Sequence, residues 1–242
     1  MSEFSVQVHS FSDIVSELLF HCSLTEPMWF RGQADASWKL DCSLSREGGI
    51  EKEMPLIKRF KQNALQIMRH HPTSEWEWLF TMQHYSLPTR LQDWSESPLT
   101  ALYFAVHSHP GADGSLWVLN PTALNRRGNL DSSEIPGFGD DEHLDSYLPS
   151  ALAKQRQILS PLAAIAPRNT PRILSQQGVF VVFHKNLAPL EVDDENIIWR
   201  CIIPKEIKED VLRAINLLGV HKLSLFPELD SVSEHARTLC HE

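Results

Sequence analysis

Residues 78–106, WLFTMQHYSLPTRLQDWSESPLTALYFAV, set histidine, tyrosine, threonine, arginine, aspartate and tryptophan between two strongly apolar segments. Polar groups framed in this way must find partners when the flanking segments bury them, or must face a ligand. Any fold of this chain has to place Gln83, His84, Tyr85, Thr89, Arg90, Asp93 and Trp94 where core and cleft meet. A second fragment, Trp29-Phe30-Arg31-Gly32-Gln33, puts one cation and one glycine at the end of an aromatic strand and points to the same pocket.

The surrounding pattern is mixed α and β. Ser10, with Asp13 reaching back, caps a helix whose apolar face is Phe11, Ile14, Val15, Leu18 and Leu19. Met28 to Phe30 is a short buried strand that delivers Arg31 to its end, and residues 38–47 form an irregular connection. Residues 51–71 are expected as one long helix, with Pro55 in its first turn, Phe60, Ala64, Ile67 and Met68 on its apolar face, and Pro72 ending it. Ser74 and Glu77 make a capping box for a helix carrying Trp76, Leu79, Phe80 and Gln83, which stops near His84. Beyond Pro88, Thr89 to Trp94 reads as extended, and Ser97-Pro98 opens a helix with body LTALYFAV. Ser115–Leu119, Val179–Phe183 and Ile197–Ile203 supply further strands, and residues 129–145 are expected as a mobile surface loop. Pro204 starts a helix through Ile207, Val211, Leu212, Ile215 and Leu218, with Gly219 at its end.

At 242 residues and 42% apolar content, the chain can bury an ordinary core, and a single domain over residues 1–242 is expected. The balance of 22 basic against 31 acidic residues, net −9, disfavours an extended nucleic-acid surface. No apolar run approaches the ~20 residues of a membrane span, and the start MSEFSVQVHSFSD lacks secretory-signal features, so a cytoplasmic protein without a membrane partner is expected. Cys22, Cys42, Cys201 and Cys240 are widely separated and read as reduced thiols. Neither P-loop, Rossmann nor nucleophile-elbow motifs occur, and the histidines form no HExxH pattern, so no metal is expected.

Arg31 admits two readings, a structural ion-pair partner or, beside the flexible Gly32, a recogniser of phosphate or carboxylate. Asp93 pairing with Arg90 and Trp94 packing in the core would account for part of the second cluster. His84 and Tyr85 are left to contact a sugar or stack on a base. A third fragment, Arg172-Ile-Leu-Ser-Gln-Gln-Gly178, sets Gln176 and Gln177 before a strand, where the amides either satisfy loop backbone or orient a ligand.

Phe30-Arg31-Gly32-Gln33, MQHYSLPTRLQDWSESPLTALYFAV, SQQGVFVVF and LSLFPEL, in this order, resemble the FRG domain family, named for its Phe-Arg-Gly motif. The resemblance spans roughly residues 29–229, with Ser86, Gln92 and Ser95 standing where the family's HYGLPTRLLDWT carries glycine, leucine and threonine. It implies a bacterial protein in a phage-defence or toxin-like setting. A more distant similarity is to ADP-ribosyltransferase folds, which also carry an early-strand arginine, a polar strand followed by a helix like that bearing YFA, and a late-strand glutamine or glutamate. That similarity implies an α+β domain with a central, mostly antiparallel or split sheet flanked by helices. It also implies a nucleotide ligand, NAD as cofactor, and ADP-ribosyl transfer to a protein or nucleic-acid acceptor or NAD hydrolysis. The catalytic group would be Arg31, His84, Tyr85, Asp93 and Gln177, and the cofactor would meet Arg31, Gly32, Gln33, Gln83, Thr89, Arg90, Trp94 and Gln176. Gln177 stands where many such enzymes carry a glutamate; a neutral amide orients a hydroxyl but is no general base, so a carboxylate would come from Asp93 or the acidic loop. The competing expectation is a non-catalytic nucleotide sensor or protein-interaction module.

Overall fold

The computed structural model describes residues 4–23, 25–128, 130, 134–139, 141–168, 170–190 and 194–240. Its frame is a seven-stranded sheet of β1 (Ser5–Gln7), β2 (Trp29–Gln33), β3 (Leu91–Ser95), β4 (Gly114–Leu119), β5 (Leu162–Ile165), β6 (Gly178–Val182) and β7 (Ile198–Ile203). Spatial order is β1-β7-β4-β2-β3-β6-β5. Every pairing is antiparallel except β1 with β7. The expected α+β class, with a mostly antiparallel sheet flanked by helices, is what forms.

Alternation along the strands sorts their side chains onto two faces. On one face, Phe30, Leu116, Val118, Trp199, Cys201 and Ile203 form a core with helices α1 (Phe11–His21), α5 (Pro98–Val106) and α9 (Lys208–Leu217). Farther along this face, Leu91, Phe180, Val182 and Leu162 meet Ile57 of α3 (Glu53–Ala64) and Trp76, Leu79, Phe80 and Met82 of α4 (Glu75–His84). The opposite face carries Trp29, Trp94, Trp117, Leu119, Val179 and Val181, packed on Leu40, Cys42 and Leu44. Leu44 lies on α2 (Ser43–Arg46), a short helix inside the stretch expected to be irregular.

The β2–β3 seam is held at one register pair, Phe30 with Ser95, whereas β3–β6 and β2–β4 each hold five. The sheet is thus weakest in the middle, and the two core halves on its first face meet there.

Caps form where the sequence places them: Ser10 accepts from the Asp13 amide, Ser74 from Glu77 and Ser97 from Thr100. Several boundaries differ. Helix α3 stops at Ala64 instead of continuing to residue 71, because nothing covers the next turn: Ile67 is 82% exposed. Val15 and Leu19, expected on the buried face of α1, point outward. Strand β2 runs on to Gln33, so Arg31 is in mid-strand. The described part of residues 129–145 is packed and not a free loop: Phe138 and Leu144 are buried, and the Phe138 amide donates to the Ile165 carbonyl. Residues 129, 131–133 and 140 of that stretch lie outside the described residues.

The remaining helices are α6 (Pro121–Arg127), α7 (Pro149–Leu152), α8 (Pro171–Ser175), α10 (Lys222–Leu225) and α11 (Leu229–Cys240). Among the described residues, no helix is long and apolar enough to cross a membrane.

Candidate ligand-binding cleft

Between α4, α8 and the β3–β6 pair lies a cleft of about 610 Å³. Phe80, Trp94, Ile173 and Phe180 give it an apolar lining, and Asp93, Gln83, His84, Tyr85, Arg172 and Gln176 its polar groups. The α3–α4 connection adds His70, His71 and Thr73 at the rim.

The C-terminal end of α4 aims Gln83 into this space. After the cap residue Tyr85, Ser86 adopts φ 62°, the Ser86 amide donates to the Gln83 carbonyl, and the Leu87 amide donates to the Met82 carbonyl. These two bonds make a Schellman motif, whose left-handed position favours glycine. Ser86 therefore occupies the position at which the FRG pattern carries glycine, and for a physical reason: the helix must reverse there to start β3.

A hydrogen-bond relay sets the cleft floor. The buried Thr89 hydroxyl accepts from the Leu91 amide and donates to Gln83 Oε1 at 2.6 Å. With Oε1 so occupied, the Gln83 Nε2 must be the end that faces Asp93, and it donates to Oδ1 at 2.6 Å. Asp93 Oδ2 accepts no hydrogen bond among the described residues and remains accessible from the cleft. The crowd of protein around the floor pushes the Asp93 carboxyl above its usual range, while Arg31, Arg172 and the Gln83 bond pull the other way. A carboxylate with one fixed and one free oxygen, in apolar surroundings, suits a hydroxyl or a cationic ring.

Arg172 reaches the cleft from α8, which Thr170 caps by accepting from the Ile173 amide and Pro171 opens. It has no ion-pair partner among the described residues. In the sequence Arg172 stands out only as the start of a fragment. Thr170-Pro171, a cap followed by proline, was the local signal that a helix begins there and places Arg172 in its first turn.

Of the residues singled out in the sequence, Gln83, His84, Tyr85, Asp93, Trp94 and Gln176 line the cleft, and Thr89 lies buried behind Gln83. Arg31 does not line it. Its Nη1 donates across the β2–β3 seam to the Asp93 carbonyl oxygen, and its buried Nε has no partner among the described residues. Gly32 serves packing instead of ligand approach: a Cβ there would stand 1.8 Å from the Ala101 carbonyl oxygen and 2.6 Å from the Ala105 nitrogen of α5. Gln33 is tied up in the fold, accepting from Trp117 Nε1 at 2.7 Å and donating to the Lys39 carbonyl at 3.0 Å.

Arg90 is fully buried and away from Asp93. It donates to Glu53 Oε1 at 2.6 Å, to the Phe183 carbonyl at 2.8 Å and to the Tyr147 carbonyl. Residues three apart on extended backbone point to opposite faces, which rules out the Arg90–Asp93 pair. Gln177 occupies an exposed turn at φ 47°, outside the cleft lining, and its carbonyl accepts from the Glu96 amide. No group of three or more His, Cys, Asp or Glu among the described residues could hold a metal ion.

Comparison with known proteins matches residues 26–114 to a family model described as FRG domain. That span contains β2, α4, β3 and α5, hence Gln83, Asp93 and the Gly32 contact, and it excludes Arg172. No curated protein and no solved structure matches the chain.

Proposed function

This chain carries an FRG domain over residues 26–114, and we propose that its cleft binds a dinucleotide of NAD type and cleaves the bond between nicotinamide and ribose. One observation carries the reading: the accessible Asp93 carboxylate, fixed through one oxygen by Gln83, lies on an aromatic floor that also faces Arg172. Phe80 and Phe180 offer faces and edges for a planar ring. Arg172, which forms no ion pair among the described residues, takes the phosphates.

Cleavage of such a bond passes through an oxocarbenium-like cation, which an oriented carboxylate in low dielectric stabilises. The C–N bonding pair leaves with nicotinamide. Water adds to the ribose carbon, and its proton passes to Asp93 and then to solvent. Asp93 thereby supplies the carboxylate that Gln177 lacks. A defence or toxin-like setting in bacteria is the role this reading takes from the family resemblance.

The test is purified protein mixed with NAD, followed by melting temperature and nicotinamide release. NAD is expected to raise the melting temperature of the wild type, Arg172→Ala to lose that shift, and Asp93→Asn to keep the shift while losing release. A shift without release in the wild type would make the protein a nucleotide sensor. Neither response would overturn the reading.

A further inference from the structure

The LSLFPEL fragment near the C-terminus has so far no place in the cleft, yet it touches the cleft's cation. The Arg172 guanidinium lies over the Phe226 ring, 4.9 Å from its centroid. Phe226 is itself fixed from two sides: its ring meets Phe104 of α5 edge to face at 5.9 Å, and its amide donates to the Lys222 carbonyl at 2.8 Å. The preceding residue, Leu225, is 2% exposed, and its carbonyl accepts from both Ser175 Oγ at 3.0 Å and Gln176 Nε2 at 3.1 Å. Two side chains from the end of α8 thus converge on one oxygen of α10, and the Arg172 side chain from the same short helix lies on the next residue's ring.

We infer that Phe226 is a positioning residue that presents Arg172 to the phosphate of a ligand, so that the C-terminal helices set the cleft's preference for a phosphorylated nucleotide over a bare nucleoside. The inference rests on the dinucleotide reading for the identity of the ligand, and on the Arg172–Phe226 stack for the mechanism. An arginine without a carboxylate partner is ordinarily a mobile side chain, and restricting it beforehand removes part of the entropy lost on binding. An aromatic face does this without neutralising the charge, so the guanidinium edge stays available for bidentate donation. A carboxylate in the same place would hold Arg172 equally well but would compete with the ligand's phosphate.

The test compares Phe226→Leu, which keeps an apolar side chain but removes the ring face, with Phe226→Tyr, which keeps the ring. Dissociation constants are measured for NAD, for nicotinamide riboside, which lacks phosphate, and for inorganic pyrophosphate alone, together with each variant's melting temperature. Phe226→Leu is expected to weaken NAD and pyrophosphate roughly three- to tenfold, the range of one cation–π contact at a partly exposed site. Nicotinamide riboside should be unaffected and Phe226→Tyr should restore wild-type values.

Equal loss for all three probes, or unchanged NAD and pyrophosphate affinity in Phe226→Leu, overturns the inference while leaving the dinucleotide reading in place. Pyrophosphate binding that depends on Phe226, with no NAD binding in any variant, upholds the anion site and overturns the dinucleotide reading. Failure of the wild type to bind either phosphorylated probe overturns both.

Discussion

Gln83 and Asp93 are joined by a 2.6 Å hydrogen bond from the amide Nε2 to Oδ1, which leaves the other carboxylate oxygen facing the cleft. Because the Thr89 hydroxyl fixes the amide's orientation, the carboxylate is held before any ligand arrives.

Asp93→Asn separates function from stability. The asparagine carbonyl can still accept from Gln83, so the fold is kept, but the charge is gone. Nicotinamide release should fall by roughly 100-fold or more. Because Asp93 is solvent-accessible and the asparagine keeps the bond from Gln83, the variant's melting temperature should stay close to that of the wild type. For the wild type, release should rise with pH along a limb centred above the ordinary carboxyl value of 3.8, as Asp93 ionises. A limb at or below that value, or one that survives in Asp93→Asn, would refute the assignment.

Ser86→Gly should stabilise the protein. Serine at φ 62° carries the left-handed penalty of about 1–2 kcal/mol, and glycine removes it while losing about 0.5–1 kcal/mol of chain entropy. The expected net gain is up to about 1.5 kcal/mol, read from chemical denaturation with unchanged slope.

Glu53→Ala should be the most damaging of these changes. Arg90 is fully exposed to none of the solvent, and Glu53 is the only carboxylate with which it forms an ion pair among the described residues. Removing it strands a buried guanidinium, at a loss of about 3–5 kcal/mol. At about 2–4 °C per kcal/mol for a chain of this size, the melting temperature should drop by roughly 6–20 °C. A drop below a few degrees would show that the pair is not needed.

His184 predicts the acid limb of stability. It is fully buried, its Nδ1 accepts from the Leu159 amide at 3.1 Å, and its Nε2 meets Gln155 Oε1 at 3.2 Å. Desolvation, with Arg90 adding to it, holds its pKa below the ordinary 6.5. Between its folded-state pKa and about 6.5, the unfolded chain binds a proton that the folded chain refuses, so stability falls as pH drops through that window. Denaturation midpoints measured from pH 7.5 downward should show this slope, flattened in His184→Gln. His107, whose pKa desolvation also lowers, leaves a residual slope in that variant.

The sequence by itself determined the caps at Ser10, Ser74 and Ser97, the β3, β4, β6 and β7 strands, and the grouping of Gln83, His84, Tyr85, Asp93 and Trp94 around one cleft. Each of these is written within a few residues, in hydrogen-bond loops and apolar periods that close locally. Strand order and register decided the rest. They sent Arg90 to Glu53 on α3 and not to Asp93, set Gly32 against the α5 backbone, and turned Gln177 outward. They also brought Arg172 and Phe226, from beyond the family match, to the cleft that Asp93 floors. Such choices depend on which face of the sheet a side chain meets and on what the neighbouring strand brings opposite it, and no short window of residues contains that information.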